Sequence, residues 1–151
     1  MSTKSTDFDC CRRVTTPVHV GNVTIGGDQR VVLQSMASTS TMDTEGSIAQ
    51  CSRIADAGAQ IVRLTAQGVR EANNLVNIRA GLRDKGVDVP LVADIHFNPR
   101  AAFAAAEVVE KVRINPGNFV DPGRTFRKTA AIIITVVISP VYLIKAVIGS
   151  A

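Results

Sequence analysis

The sequence predicts an α/β fold with a parallel sheet, consisting of about four βα units that amount to half a barrel, with a β-hairpin before them. Apolar strand-like runs alternate with helix-like segments of ten or more residues, which is the spacing of parallel strands joined by right-handed crossovers. The 151 residues form one ordinary domain and fall well short of the roughly 250 residues of a complete eight-stranded barrel. Three of the apolar runs end in charged or polar residues, which predicts a functional edge of the sheet.

The amino-terminal part contains a polar lead-in and a hairpin. Residues 1–15 are predicted to be a disordered lead-in, and residues 16–129 to form the barrel part. Two short β-prone runs flank Gly21 and Asn22, a pair typical of a tight hairpin turn.

The βα units follow from the apolar periodicity and the turn residues. We predict strands at residues 30–36, 61–64, 91–97 and 112–114, and we expect the first to be buried. Helices are predicted to begin at Asp43 or Thr44, near Arg70 and at Asn98-Pro99, and to end near Gly58, Lys85 and Glu110.

Composition restricts the class of partner and the compartment. The formal net charge of +4 favours an anionic ligand, while a single Tyr, no Trp and the lack of a dense basic run argue against nucleic-acid binding. Cys10, Cys11 and Cys51 are odd in number and have no Cys-x-x-Cys spacing, so they predict reduced thiols, with Cys51 on the buried face of a helix. The first residues lack a secretory apolar stretch, and we expect a cytoplasmic location.

Residues 130–151 form an apolar tail of uncertain origin. Residues 130–144 are apolar except for Thr135 and Ser139, but this run is shorter than the roughly twenty residues that span a bilayer, and Pro140 interrupts it. The tail could be a membrane helix, a buried strand or helix, or a non-native end produced by truncation or misreading. The abrupt change in composition favours the last of these, and membrane association is not expected.

Arg63 and Arg113 are candidate binding residues at neighbouring strand ends. Each guanidinium could pair with an acid such as Asp94 as a structural contact, or could face a ligand phosphate with its planar set of donors. Two such arginines at one edge favour an anion site. We therefore predict a phosphorylated small molecule as the ligand.

Asp94 and His96 are spaced i, i+2 and would share one face of a strand, where they could orient hydroxyls or relay protons. Arg113 and Asn115 have the same spacing, although residues 115–118 could equally be a tight βα turn with no further role. A metal site is not expected, because a third ligand at suitable spacing is lacking. The polar residues 34, 35 and 38–41 at the end of the first strand fit loop composition and ligand contact about equally well.

Four segments closely resemble one enzyme family. QSM at residues 34–36, ADAGAQIVRL at 55–64, PLVADIHF at 90–97 and VRINPGN at 112–118 are similar to 4-hydroxy-3-methylbut-2-enyl diphosphate synthases, the iron-sulfur enzymes of the non-mevalonate isoprenoid pathway. The resemblance runs from about residue 13 to residue 128, and PLVADIHF and RINPGN, in this order, are its specific parts.

The resemblance implies a TIM-like (β/α) barrel, related in shape to dihydropteroate synthase. Such a barrel binds 2-C-methyl-D-erythritol 2,4-cyclodiphosphate at the strand carboxyl ends, and the family opens this ring by two electrons with loss of water. By motif, Arg63, Arg113 and Asn115 would bind the diphosphate, and Asp94 and His96 would contact the hydroxyl region. The family is further expected to use a [4Fe-4S] cluster held by three cysteines and a glutamate in a separate domain, a ferredoxin or flavodoxin as electron donor, and a homodimer.

The departures from the family lead to a second set of expectations. Cys10, Cys11 and Cys51 do not match the cluster ligands, so no catalytic or metal-binding residue is assigned. We expect an amino-terminal fragment with an unrelated apolar end, which would be inactive alone. Two alternatives stay open: a pterin- or phosphate-binding barrel enzyme related to dihydropteroate synthase, against which RINPGN argues, and a non-catalytic membrane-associated half barrel, which only residues 130–144 support.

Overall fold

The computed structural model describes residues 15–114. The predicted lead-in, the apolar tail and the segment that contains Asn115 lie outside these residues, apart from Thr15. The elements in chain order are β1 (Val18–Val20), β2 (Val23–Ile25), β3 (Gln34–Met36), α1 (Thr44–Asp56), β4 (Ile61–Thr65), α2 (Val69–Asp84), β5 (Leu91–Ile95), α3 (Pro99–Ala106) and β6 (Lys111–Ile114).

The central feature is a four-stranded parallel sheet with the order β3-β4-β5-β6. One helix separates each strand from the next, which confirms the predicted repeat of βα units. Thr65 lies opposite Asp94, and Asp94 lies opposite Arg113 in the register of the sheet. Because parallel strands end at a common edge, the polar residues at their carboxyl ends lie side by side.

The hairpin formed by β1 and β2 is antiparallel and turns at Gly21 and Asn22 as predicted. Gly21 has φ of 58°, a left-handed conformation that glycine adopts without strain. On β1, Val20 is buried in a small apolar cluster with Ile61 and Val92. The hairpin therefore packs near the amino-terminal ends of β4 and β5.

The opposite face of the sheet packs against the three helices and forms the main core. Along each strand, residues that face this core alternate with residues that face the hairpin side, as expected for extended strands. The core includes Val62, Leu64, Leu91, Ala93, Ile95 and Val112 from the sheet, and Ile48, Cys51, Leu75, Ile78, Leu82, Ala101 and Ala105 from the helices.

The first predicted strand differs from the structure in length and burial. Only Gln34–Met36 forms a strand rather than residues 30–36, and all three of its residues are exposed. Val31 and Leu33 are 80% and 61% exposed. The expectation of burial is wrong here because β3 is the edge strand of the sheet that residues 15–114 form, with β4 as its partner.

The helix boundaries follow their capping residues. Asp43 is the N-cap of α1, and its carboxylate accepts a 3.0 Å hydrogen bond from Gly46 N. Asn98 caps α3 with Pro99 in the first turn, as predicted, but the helix ends at Ala106 instead of Glu110. Strand β5 ends at Ile95, two residues before the predicted end.

A buried ion pair joins α2 to the amino-terminal ends of β5 and β6. Arg79 is 8% exposed; its Nη1 donates to Val89 O at 2.9 Å, and its Nη2 donates to Glu110 Oε1. The other carboxylate oxygen of Glu110 accepts a 2.8 Å hydrogen bond from Leu91 N. The carboxylate of Glu110 therefore contacts both an arginine side chain and a backbone amide of β5. These contacts fit the end of α3 at Ala106, before residue 110.

Replacing Glu110 by alanine tests how much this ion pair contributes to the stability of the fold. Arg79 would be left buried without its carboxylate partner, so we expect the free energy of unfolding of the 151-residue chain to fall by about 3 kcal/mol in urea titrations. The matched control is Asp88→Ala, since Asp88 lies 3.9 Å from the same Arg79 Nη2 but its side chain is 79% exposed; its loss should stay below about 0.5 kcal/mol. Equal losses in the two variants would contradict a structural role for Glu110.

The buried thiol of Cys51 predicts a pH dependence of stability. Burial on α1 raises the pKa of Cys51 from 9.0 to about 11, because the thiolate is poorly solvated there. The folded chain thus holds this proton more tightly than the unfolded chain, and stability falls as the pH rises from about 9 toward about 11. Urea titrations across this range should show a steeper decline for the wild-type chain than for Cys51→Ala, in which the other titrating groups are unchanged. Parallel declines would show that Cys51 does not contribute.

Candidate anion-binding site at the carboxyl ends of the strands

The candidate site is built around the carboxylate of Asp94 on β5. Oδ1 of Asp94 accepts a 2.7 Å hydrogen bond from Arg113 Nη1 on β6. Oδ2 lies 3.4 Å from Arg63 Nε on β4 and 3.5 Å from His96 Nε2. Four of the predicted site residues therefore meet at one carboxylate.

The sheet register brings these side chains together. Asp94 and Arg113 are direct neighbours across β5 and β6. Arg63 lies on β4, the strand on the other side of β5, and immediately precedes Leu64. Leu64 and Ala93, which alternate with Arg63 and Asp94, belong to the core on the helix side. The charged residues consequently occupy the face opposite the helices.

The exposed fractions of these side chains differ as expected for a positively charged binding site. The side chain of Asp94 is 1% exposed, whereas those of Arg63, His96 and Arg113 are 28%, 33% and 40% exposed. The two arginines and the one carboxylate leave one positive charge in excess. The acid lies beneath the surface and the basic groups reach the solvent.

Arg63 has donors that lack strong acceptors. Its Nε lies within ion-pair distance of Asp94 but is buried without a hydrogen bond, since the geometry is unfavourable. Its Nη2 donates to the thioether sulfur of Met36 at 3.1 Å, and a thioether is a weak acceptor. An anion that reaches this guanidinium would therefore offer better acceptors than those it has.

A cavity of about 450 Å³ lies at the ends of β3 and β4 and meets the candidate site at Met36, the residue that contacts Arg63. It is lined by Met36, Ala37, Ser38, Thr39, Ser40, Thr41, Thr65, Gln67 and Glu71. Internal bonds fix part of this loop: Thr41 Oγ1 donates to Thr65 O, and Gln50 Oε1 accepts from the amides of Ser38 and Thr39. The hydroxyl-rich segment after β3 thus lines a cavity that meets the site at Met36, and Thr41 has a structural role.

The structure brings four of the five predicted site residues together. Arg63, Asp94, His96 and Arg113 converge, and Asn115 lies outside the described residues. The structure combines the two readings of the arginines, since both contact Asp94 and both remain partly exposed. Their role in ligand binding stays a prediction.

Sequence reasoning missed Met36 as the partner of Arg63. The two residues are neighbours in the register of β3 on β4, and hydrophobic periodicity gives no signal for this register. Gln34 and Ser35, also named as candidates, line a different cavity that borders α1.

Between residues 15 and 114 there is no group of three or more His, Cys, Asp or Glu side chains placed to hold a metal ion. In the same part of the chain, the helices are too short or too polar to cross a membrane.

The sequence matches the family described as the GcpE TIM-barrel domain over residues 15–144. Similar curated proteins are named 4-hydroxy-3-methylbut-2-en-1-yl diphosphate synthase (flavodoxin). The protein of Phocaeicola vulgatus is 58% identical over 121 residues, which are 80% of this chain and 20% of the relative. Those of Porphyromonas gingivalis and Leptospira interrogans are 59% and 52% identical over 114 and 116 residues, which are 76% and 77% of this chain and 20% and 18% of the relatives.

The chain spans about a fifth of the length of these relatives. The parallel four-stranded sheet with its amino-terminal hairpin is consistent with part of a TIM barrel. From the extent of the family match, the chain belongs to the GcpE TIM-barrel domain family.

Proposed function

We propose that this chain carries the diphosphate-binding part of a 4-hydroxy-3-methylbut-2-enyl diphosphate synthase. The complete enzyme would reduce 2-C-methyl-D-erythritol 2,4-cyclodiphosphate by two electrons and open its ring, with loss of water, in isoprenoid biosynthesis. The observation that carries the proposal is the pair of partly exposed arginines held by one buried carboxylate at the carboxyl edge of the sheet.

Arg63 and Arg113 are suited to bind phosphate oxygens. A guanidinium offers several donors in one plane, which match the oxygens of a phosphate group, and it stays charged at any physiological pH. Asp94 fixes one donor of Arg113 by a hydrogen bond and lies in ion-pair contact with Arg63. The remaining donors can then face the ligand without first having to be ordered, which lowers the entropic cost of binding.

Asp94 and His96 take different roles in this proposal. The motif predicts that Asp94 contacts the hydroxyl region, but both of its oxygens already contact cationic side chains and the side chain is 1% exposed. We therefore assign Asp94 the role of orienting its neighbours. His96 has a third of its side chain exposed and is placed to contact the hydroxyl region of the substrate. Asn115 is retained as a diphosphate contact on the strength of the family motif alone.

The reductive chemistry is assigned to the complete protein. A [4Fe-4S] cluster, when bound, would supply electrons to the substrate, and the names of the relatives favour a flavodoxin as the donor. Residues 15–114 do not fit a cluster site, because they have no suitable metal-ligand group and Cys51 is fully buried. We assign no step of cluster chemistry to them, and a homodimer and a cytoplasmic location belong to the same proposal.

Substituting the arginines tests the proposed anion site. We expect Arg63→Gln and Arg113→Gln each to raise the Kd for inorganic diphosphate by about tenfold, since each removes charge-assisted hydrogen bonds. Isothermal titration calorimetry with the 151-residue chain measures the effect, and circular dichroism verifies that the variants are folded.

The control is Arg83→Gln, which removes the same charge from an exposed position in the last turn of α2. Its Kd should stay within about twofold of the wild-type value, because charges far apart on the surface are screened by salt. Wild-type affinity in both site variants, or an equal loss in all three, would refute the proposed anion site.

A further inference from the structure

We propose that Met36 is a modification site: its oxidation to methionine sulfoxide by a peroxide reversibly weakens anion binding by Arg63. The inference rests on the proposed function, since it concerns the affinity of the same site. It adds a chemical means of regulating the affinity of that site, through a residue that the family motif does not assign to binding.

The position of Met36 carries the inference. It is the last residue of β3, lies opposite Arg63 in the sheet register, and its sulfur accepts a 3.1 Å hydrogen bond from Arg63 Nη2. Met36 is 43% exposed and lines the cavity at the ends of β3 and β4. A small oxidant can therefore reach a sulfur atom that already touches the proposed anion-binding guanidinium.

The oxidation is a two-electron step. The thioether sulfur gives an electron pair to one oxygen of hydrogen peroxide, and the O–O bond breaks. The oxygen bound to sulfur passes its proton to the leaving hydroxide, so that the sulfoxide and one water molecule are formed. Methionine sulfoxide reductases reverse the change with thiols as the electron source, and the oxygen leaves as water.

Oxidation changes what Arg63 contacts. A sulfoxide oxygen is a much stronger hydrogen-bond acceptor than a thioether sulfur, and it would lie within reach of Nη2. The guanidinium would then be held by Met36 and would have fewer donors for a phosphate group. We expect the Kd for inorganic diphosphate to rise about fivefold, which is less than the full loss of a charge-assisted hydrogen bond.

The chain contains an internal control for this effect. Met42 is 46% exposed, close to the value for Met36, but it is not among the residues that line the cavity. Oxidation of Met42 should therefore proceed under the same conditions without a change in affinity.

The experiment compares two variants of the 151-residue chain before and after treatment with hydrogen peroxide. Met42→Leu retains Met36, and Met36→Leu retains Met42; both retain Cys10, Cys11 and Cys51, so thiol oxidation affects them equally and is reversed with dithiothreitol. Peptide mass spectrometry quantifies each sulfoxide, and calorimetry measures the Kd for inorganic diphosphate. Methionine sulfoxide reductase treatment should restore the affinity of oxidised Met42→Leu.

The expected result is a weaker affinity for oxidised Met42→Leu and an unchanged affinity for oxidised Met36→Leu. Equal affinity before and after complete oxidation of Met36 would overturn the inference and leave the proposed function intact. Resistance of Met36 under conditions that oxidise Met42 would overturn it as well. Failure of the untreated chain to bind diphosphate would refute the proposed function and this inference together.

Discussion

The carboxylate of Asp94 is the constraint on which the candidate site depends. A charge that is almost fully buried is unfavourable unless cationic or hydrogen-bonding groups surround it, and Asp94 obtains such groups from both neighbouring strands and from His96. This requires β4, β5 and β6 to pair in their observed register. A slip of one residue in β5 would turn Asp94 toward the helices and bury it among the apolar residues of the main core.

The two edges of the sheet have different roles. At the amino-terminal edge, the hairpin packs on Ile61 and Val92, and Arg79 and Glu110 join α2 to the beginnings of β5 and β6. At the carboxyl edge, Arg63, His96 and Arg113 are partly exposed, and Met36, which contacts Arg63, lines a cavity. This division is characteristic of α/β barrels, in which the amino-terminal face contributes stability and the carboxyl-terminal face carries the site.

Much of the fold could be predicted because local signals specify it. Gly21 and Asn22 mark the hairpin turn, Asp43 and Asn98 cap helices, and Gly58 and Gly86 follow helix ends with φ of 97° and 72°. The convergence of the charged residues could also be predicted, since the carboxyl ends of parallel strands share an edge and residues two apart share a face.

The features that could not be predicted depend on contacts between distant segments. Residues 31–33 are as apolar as a buried strand, but their burial depends on which element packs over them, and nothing in their own sequence gives this. Arg79 and Glu110 are 31 residues apart, and neither lies in a local pattern that indicates the other. The contact between Met36 and Arg63 requires the register of β3 on β4, which hydrophobic periodicity alone does not determine.

The most direct test of a single anion site organised by Asp94 is an NMR titration of the arginine Nε–Hε signals with inorganic diphosphate. If one buried carboxylate holds both arginines in one site, the signals of Arg63 and Arg113 should shift along one binding curve with a common Kd, while that of Arg83 stays unchanged. Separate curves for the two arginines, or shifts no larger than those of Arg83, would contradict a shared site.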